Sequence, residues 1–243
     1  MKNLKLKTLV IIAFACFYSC SDDNLCITGN GLIRTQEIAI ADFTGIKTYG
    51  NDHVIISQGT SQKVEVTGHS NIINKLKTVV RNGVWEIELE NNCYKNADLT
   101  INITIPNLHA ISLIGSGDVL VNDFINQENL SIDLIGSGNI ELNENEGTEN
   151  LVITIEGSGF IKGNADFLDL KKLDIDIIGS CDYEGFPIIT DECNIRIEGS
   201  GNCDIFVRNK LDVTIVASGN VRYKGNPEIT VSITGSGELQ DAN

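Results

Sequence analysis

Along the second half of the chain, apolar and polar residues alternate in step with a turn phrase that recurs seven times. It reads Gly115-Ser116-Gly117, Gly136-Ser137-Gly138, Gly157-Ser158-Gly159, Gly179-Ser180-Cys181, Gly199-Ser200-Gly201, Ala217-Ser218-Gly219 and Gly235-Ser236-Gly237. Two residues before each phrase stand Leu113, Leu134, Ile155, Ile177, Ile197, Ile215 and Ile233, and four before stand Ile111, Ile132, Ile153, Ile175, Ile195, Val213 and Val231. Between these aliphatic columns lie Ser112, Asp133, Thr154, Asp176, Arg196, Thr214 and Ser232. A period of two with one apolar face predicts a strand buried on one side. The alternation resumes after the turn in Val119, Ile140, Ile161, Tyr183, Cys203, Val221 and Leu239, so each repeat reads strand, tight turn, strand, loop.

Successive phrases begin 21, 21, 22, 20, 18 and 18 residues apart. One such repeat cannot bury its apolar face alone, whereas stacking repeats at a strand spacing of ~4.8 Å makes each column a continuous ladder. The expected fold is all-β, a right-handed parallel β-helix. Glycine at the first and third turn positions suits positive φ. Asp118, Asn139, Asp182, Asn202 and Asn220, directly after the turns, are placed for polar ladders between coils. The rival reading of the phrase, an anion or calcium cradle, lacks both a dense Gly-Gly-x-Gly-x-Asp pattern and a following helix.

Residues 29–108 are β-patterned without the turn phrase. Val54-Ile55-Ile56, Val64-Glu65-Val66, Val84 to Leu89 and Leu99 to Ile105 read as strands bounded by Gly, Asn, Asp and Ser. Asn82-Gly83 signals a hairpin, and Asn71 to Lys77 hints at a helical turn. This part is expected to hold degenerate coils and hairpins. With three prolines and no low-complexity linker, it should share one core with the repeats of 109–243.

The N-terminus changes the picture of where this body works. Lys2, Lys5 and Lys7 precede an apolar run from Leu9 to Tyr18 that stops at Cys20, the pattern of a secretory signal over residues 1–19. Phe17-Tyr18-Ser19-Cys20 resembles a bacterial lipobox, with Phe17 where Leu is usual. Ala13-Phe14-Ala15-Cys16 is a second candidate, and an unlipidated signal a third reading. Ser21-Asp22-Asp23-Asn24 resembles the acidic tether of surface-exported lipoproteins, so Cys20 is the expected lipidation site and 20–28 the tether. The whole chain carries −15; without residues 1–19 it has 15 Lys+Arg against 33 Asp+Glu, or −18. Nucleic acid and anionic membrane surfaces are therefore disfavoured partners, leaving membrane contact to the lipid alone. A cationic, calcium-bridged or neutral glycan partner remains compatible, as does a charge that serves solubility.

Candidate chemistry is sparse. Beyond Cys16 and Cys20 the cysteines are Cys26, Cys93, Cys181, Cys193 and Cys203. Cys26 and Cys93, in polar, turn-like contexts outside the repeats, form the expected disulfide in an oxidising compartment. Cys193 and Cys203 fall in core columns and read as small buried hydrophobes; Cys181 has no evident partner. His53, His69 and His109 are solitary and offer no metal-ligand spacing. His109 falls six before the first turn, in the core column of Cys193, and reads as a structural end-of-stack residue. Neither a metal, a cofactor nor a catalytic set is expected. Phe160, Tyr183, Phe186 and Tyr223 cluster near the post-turn strands as a candidate glycan-stacking strip, although Tyr183 also sits in a core column.

From Gly31 to Gly237 the chain resembles the putative auto-transporter adhesin, head GIN domain family. The resemblance is carried by Asp42-Phe43-Thr44-Gly45-Ile46, Val54-Ile55-Ile56-Ser57-Gln58-Gly59, Asn82-Gly83-Val84-Trp85-Glu86-Ile87, and Ile105-Pro106-Asn107-Leu108 through Gly115-Ser116-Gly117-Asp118. It implies a β-helical, non-enzymatic protein of the cell surface and offers no catalytic residues. Cys181 and Ala217, each in place of a turn glycine, depart from the pattern. The expectation is a lipid-anchored outer-membrane protein serving as an adhesin or ligand-binding module. Its partner would be a glycan or another envelope or host surface protein. The alternatives are a structural spacer and a carbohydrate-active β-helix enzyme.

Overall fold

The computed structural model describes residues 26–243 except positions 123, 126, 166 and 169; the leader over 1–19, with Cys16, and Cys20 lie outside the described residues. The protein is all-β, 66% strand and 2% helix, with a β-solenoid of about six turns in its C-terminal part.

The repeat period sets the register. Ala110–Gly115, Asn129–Gly136, Asn150–Gly157 and Lys172–Gly179 pair in parallel. This sets Ile111 beside Ile132, Ile153 and Ile175, and Leu113 beside Leu134, Ile155 and Ile177. The ladder continues through the latter parts of Asp182–Gly199 and Asn202–Ala217 to Glu228–Gly235. The post-turn strands Asp118–Asn122, Asn139–Leu142 and Phe160–Gly163 begin a second side of the stack, which ends at Asn220–Lys224 and Glu238–Asp241. Each inward column from Ile111 to Ile215 is buried.

Both turn glycines lie too close to the coil beneath to carry a Cβ, and the first has a further constraint. The first has positive φ, 134° at Gly115, 129° at Gly136 and 133° at Gly199, a conformation that side chains resist. The third does not. At Gly117 and Gly138 a Cβ would sit 2.5 Å from the carbonyl oxygen of the residue stacked beneath it, Asp52 or Gly117. Positive φ was therefore the wrong reason for the third glycine; close stacking of backbones is the right one.

The loops also hold more order than the repeat pattern foretells. Phe124–Ile125, Asn145–Glu146 and Phe167–Leu168 form a third, parallel side. Phe124 and Phe167 are buried there, with Asn145 stacked between them. In the later coils the strand runs on around this corner, where Ile189 and Thr190 pair with Phe206 and Val207 between two register shifts.

The N-terminal part extends the same stack. Gly45–Gly50 pairs with Ala110–Gly115, and His53–Gln58 with Asp118–Asn122. Beyond them come Val84–Ile87 and Thr100–Ile105. There the parallel order stops. Val80–Arg81 returns antiparallel across the Asn82-Gly83 turn, whose φ values of 52° and 77° fit a tight hairpin. Lys63–His69 runs antiparallel to Thr100–Ile105, and Ile33–Glu37 antiparallel to Lys63–His69. The short helix Ser70–Ile73 buries Ile72 and Ile73. Trp85 is buried, faces Phe43 at 5.6 Å between ring centroids and donates from Nε1 to the Lys77 carbonyl at 3.1 Å. A disulfide joins Cys26 to Cys93, tying Ile27–Thr28 alongside Tyr94–Lys95.

Candidate functional site

Parallel stacking turns each outward sequence position into a column on the surface. On the pre-turn sheet, the residue before the first turn glycine forms the series Tyr49, Ile114, Ile135, Glu156, Ile178, Glu198, Val216 and Thr234. Its large aliphatics are open to solvent, Ile135 by 41%, Ile178 by 39% and Val216 by 41%. Val152, on the same sheet, is 43% exposed. Beside it a shallow groove of about 430 Å³ is lined by Asp174, Asp176, Asn194, Arg196 and Asp212. Most of these groups are engaged. Asp174 accepts from Asn194 Nδ2 and from Lys172 Nζ, both at 2.6 Å; Asp212 accepts from Lys210 Nζ at 2.7 Å; Arg196 pairs with Glu198.

The post-turn face is polar. Asn139 Nδ2 donates to Asp118 at 2.7 Å, Asn202 Nδ2 to Asp182 at 2.9 Å and Asn220 Nδ2 to Asn202 at 3.1 Å, a ladder running from coil to coil. Phe160 occupies the same column and interrupts it. A groove of about 630 Å³ over the later coils is bordered by Glu184, Asp204, Arg222, Glu238 and Gln240. Arg222 donates from Nε to Asp204 at 2.7 Å and lies 5.5 Å over the Phe186 ring; Lys224 lies 4.7 Å over the same ring. Such cation–π contacts occupy the ring face.

The candidate aromatic strip does not survive this geometry as one surface. Tyr183 is 1% exposed in the column of Ile161, Cys203 and Val221, and its ring lies where a side chain at position 185 would stand, so Gly185 makes its room. Burial drives the Tyr183 hydroxyl far above its usual pKa. Tyr223 pairs with Ile205 at an inward position and is half-buried, Phe160 belongs to the polar ladder, and Phe186 is covered by cations. The aliphatic column lies on the other sheet. Its sequence signal was present, since the position before each turn is repeatedly Ile or Val, but the columns two and four before the turn drew attention to the core instead.

His109 is also displaced from its expected role: it is exposed, and the adjacent Leu108 fills the interior. His53 is exposed too, while His69 meets the Gly31 carbonyl at 3.1 Å and Asn96 at 3.0 Å. Cys193 and Cys203 are buried, and burial raises both thiols well above their usual range, so they stay protonated and unreactive. Cys181, buried as well, is raised in the same direction. Among the described residues no group of three or more His, Cys, Asp and Glu is arranged to hold a metal ion. The titrating group that stands out is Asp52, which takes the place of the third turn glycine in an N-terminal coil. Its burial pushes the carboxyl up to about 6, opposed by the Leu99 N–H that it accepts at 3.3 Å, and Asp98 raises it further.

The sequence matches the family model described as putative auto-transporter adhesin, head GIN domain, over residues 42–227. The chain belongs to this family. A comparison with curated proteins found no match. Among solved structures, a putative adhesin from Bacteroides fragilis is 20% identical with a TM-score of 0.80, covering 88% of this chain and 99% of its own. A putative lipid binding protein from Parabacteroides distasonis is 26% identical with a TM-score of 0.72, covering 89% and 99%. A putative adhesin from Parabacteroides merdae is 22% identical with a TM-score of 0.65, covering 90% and 100%. Family and structural neighbours are thus described as adhesins or lipid binders and not as enzymes, and an adhesin-like family implies a surface or extracellular location.

Proposed function

We propose that the protein is a non-enzymatic surface adhesin that holds an extended partner along its pre-turn sheet. The observation that carries this is the outward column in which exposed Ile135, Ile178 and Val216 alternate with Glu156 and Glu198, presented on a rigid ladder and flanked by Thr, Asp and Arg. Apolar groups ringed by polar ones suit a protein surface better than a sugar, which would need free aromatic faces. Weak contacts repeated along the stack add through avidity. The anchor would be diacylglycerol on Cys20, which mass spectrometry of the native protein should find and Cys20→Ala should remove, together with retention in the membrane fraction. Unmodified protein starting at another residue would remove the anchor from the proposal.

The binding test is a screen of immobilised matrix and envelope proteins alongside a glycan array, with and without calcium. Saturable binding to a protein that weakens at least ~10-fold in Ile135→Asp/Ile178→Asp would support the reading. Binding untouched by those changes would overturn it. No binding, with unaltered adhesion of a deletion strain, would favour a spacer, and polysaccharide cleavage an enzyme. A second reading, lipid binding, is favoured by the same aliphatic column and by the description of the Parabacteroides distasonis neighbour. Sedimentation with neutral phospholipid vesicles separates it from the first.

A further inference from the structure

The last coil shows the inside of the solenoid. Ile229, Val231 and Ile233 continue the columns of Leu211, Val213 and Ile215, which are buried. In the last coil they are 38%, 48% and 39% exposed, because no described residue stacks upon them. The strand Glu228–Gly235 pairs on one side alone, with Asn202–Ala217, so the hydrogen-bonding groups of its other edge face outward. Proteins guard such an edge with Lys, Pro, bulges or a covering segment. Here seven of the eight residues are uncharged, there is no Pro, and the one charge, Glu228, stands at the very start.

We infer that this end is a self-association surface, where a second copy of the chain pairs antiparallel through Glu228–Gly235 about a two-fold axis. Three features select a second copy. First, the exposed face is a cut through this protein's own core, and its own aliphatic column is the surface of matching spacing. Second, head-to-tail stacking is closed off, since antiparallel strands, the helix Ser70–Ile73 and buried Trp85 cover the opposite end of the stack. Only an isologous contact remains, and an isologous contact stops at two subunits. Third, charge permits it: with the axis near Ser232, Glu228 lies opposite the Gly235-Ser236 turn of the partner copy and not opposite a second Glu228. Val231 meets Ile233 across the axis and the reverse.

A dimer joined at this end would bear on adhesion. Cys26 is fastened by its disulfide to Cys93 beside the covered end, so the dimer carries its two Cys26 residues at its two far ends. Copies on opposing surfaces are placed to meet tip to tip.

Sedimentation of the full-length protein, in density-matched detergent where the chain is acylated, tests the dimer directly. The expected result is a species of twice the protomer mass at tens of micromolar, reduced to the protomer in Val231→Lys/Ile233→Lys with an unchanged circular dichroism spectrum. Amide exchange of the unaltered protein gives a second readout should that variant fold poorly: protection in Glu228–Gly235 should rise with concentration while the interior strands stay constant. A protomer throughout the concentration range, a dimer that survives the double substitution, or concentration-independent exchange in the last strand would each overturn the proposal. The measurement needs no external ligand, so failure of the adhesin reading leaves it intact.

Discussion

The two ends of this stack are built from the same repeat and finished in opposite ways. At the N-terminal end the parallel ladder is closed by antiparallel strands and a short helix, and Trp85 with Phe43 fills the cross-section. The outermost strand there, Ile33–Glu37, carries Arg34 and Glu37, charges that keep an edge unpaired. In the last described coil Ile229, Val231 and Ile233 are exposed, with no charge along most of the edge. A column position is therefore not a fixed environment: the same aliphatic residue is core or surface according to whether another coil follows. Solenoid stability is a sum over neighbours, and the terminal coil has one neighbour where the others have two.

Equal insults at the interior and at the open end should cost very different amounts. Ile175→Asp buries an unpaired carboxylate between two aliphatic neighbours and should destabilise by roughly 4 kcal/mol or more. Val231→Asp, in the same column but half-open, should cost under about 1 kcal/mol in protomer stability. Denaturant melts at low protein concentration would read the difference. Next comes the covered end. Trp85→Ala removes the largest buried side chain and its bond to the Lys77 carbonyl, an expected loss of roughly 3–5 kcal/mol. A Trp85→Ala protein melting with the unaltered one would mean that the covering segment contributes little.

What the sequence disclosed followed the same division. The inward columns were legible because seven copies repeat an aliphatic residue at the same position, and the period itself fixes the parallel register. The Asn82-Gly83 hairpin was legible because only a few residues tolerate two consecutive positive φ values. The third side of Phe124, Asn145 and Phe167 was not, since it recurs in three coils only and one member is polar. His109 misled because its position in the repeat is a core position, while the chain there enters from Leu108, which takes the interior instead. The aromatic strip misled because proximity in sequence says nothing of facing: Tyr183 and Tyr223 point inward, whereas Phe160 stands in an outward column. The aliphatic stripe at positions before the turn could be found by tabulating every column and not just the apolar-inward ones.

The covered end also predicts a pH signature. Asp52 has its carboxyl raised from 3.8 to about 6 by burial, so the folded protein holds a proton that the unfolded chain releases. Its favourable contribution is complete below about pH 4 and is lost as pH rises through 6, a fall on the order of 3 kcal/mol. Asp52→Asn keeps an acceptor for the Leu99 N–H and removes the titration. The difference in stability between the two proteins should grow across pH 4 to 6 in favour of Asn and then level off. Parallel pH profiles would mean that the carboxyl is already relieved by solvent.

The smallest effect expected tests the turn next to the open end. Ala217 holds φ 99°, where the matching residues, Gly115, Gly136, Gly157, Gly179, Gly199 and Gly235, are all glycine. A Cβ in that region costs roughly 1–2 kcal/mol. Glycine there would relieve it, yet glycine also frees the unfolded chain, which takes back roughly 0.5–1 kcal/mol. Ala217→Gly should therefore gain a net of about 0.5 kcal/mol, or one to two degrees in melting temperature. The converse change in the interior, Gly136→Ala, meets the same φ penalty and in addition drives its Cβ onto the Gly115 carbonyl oxygen, a backbone atom that the stack holds in place. Ala217 carries its methyl group at φ 99°, whereas Gly136 holds φ 129° and an added Cβ there would lie 2.3 Å from the Gly115 carbonyl oxygen. Calorimetry of the pair should show a small rise for the first and a loss several times larger for the second. Equal and opposite shifts would reduce both to dihedral strain and remove backbone stacking as the reason for glycine at the turn.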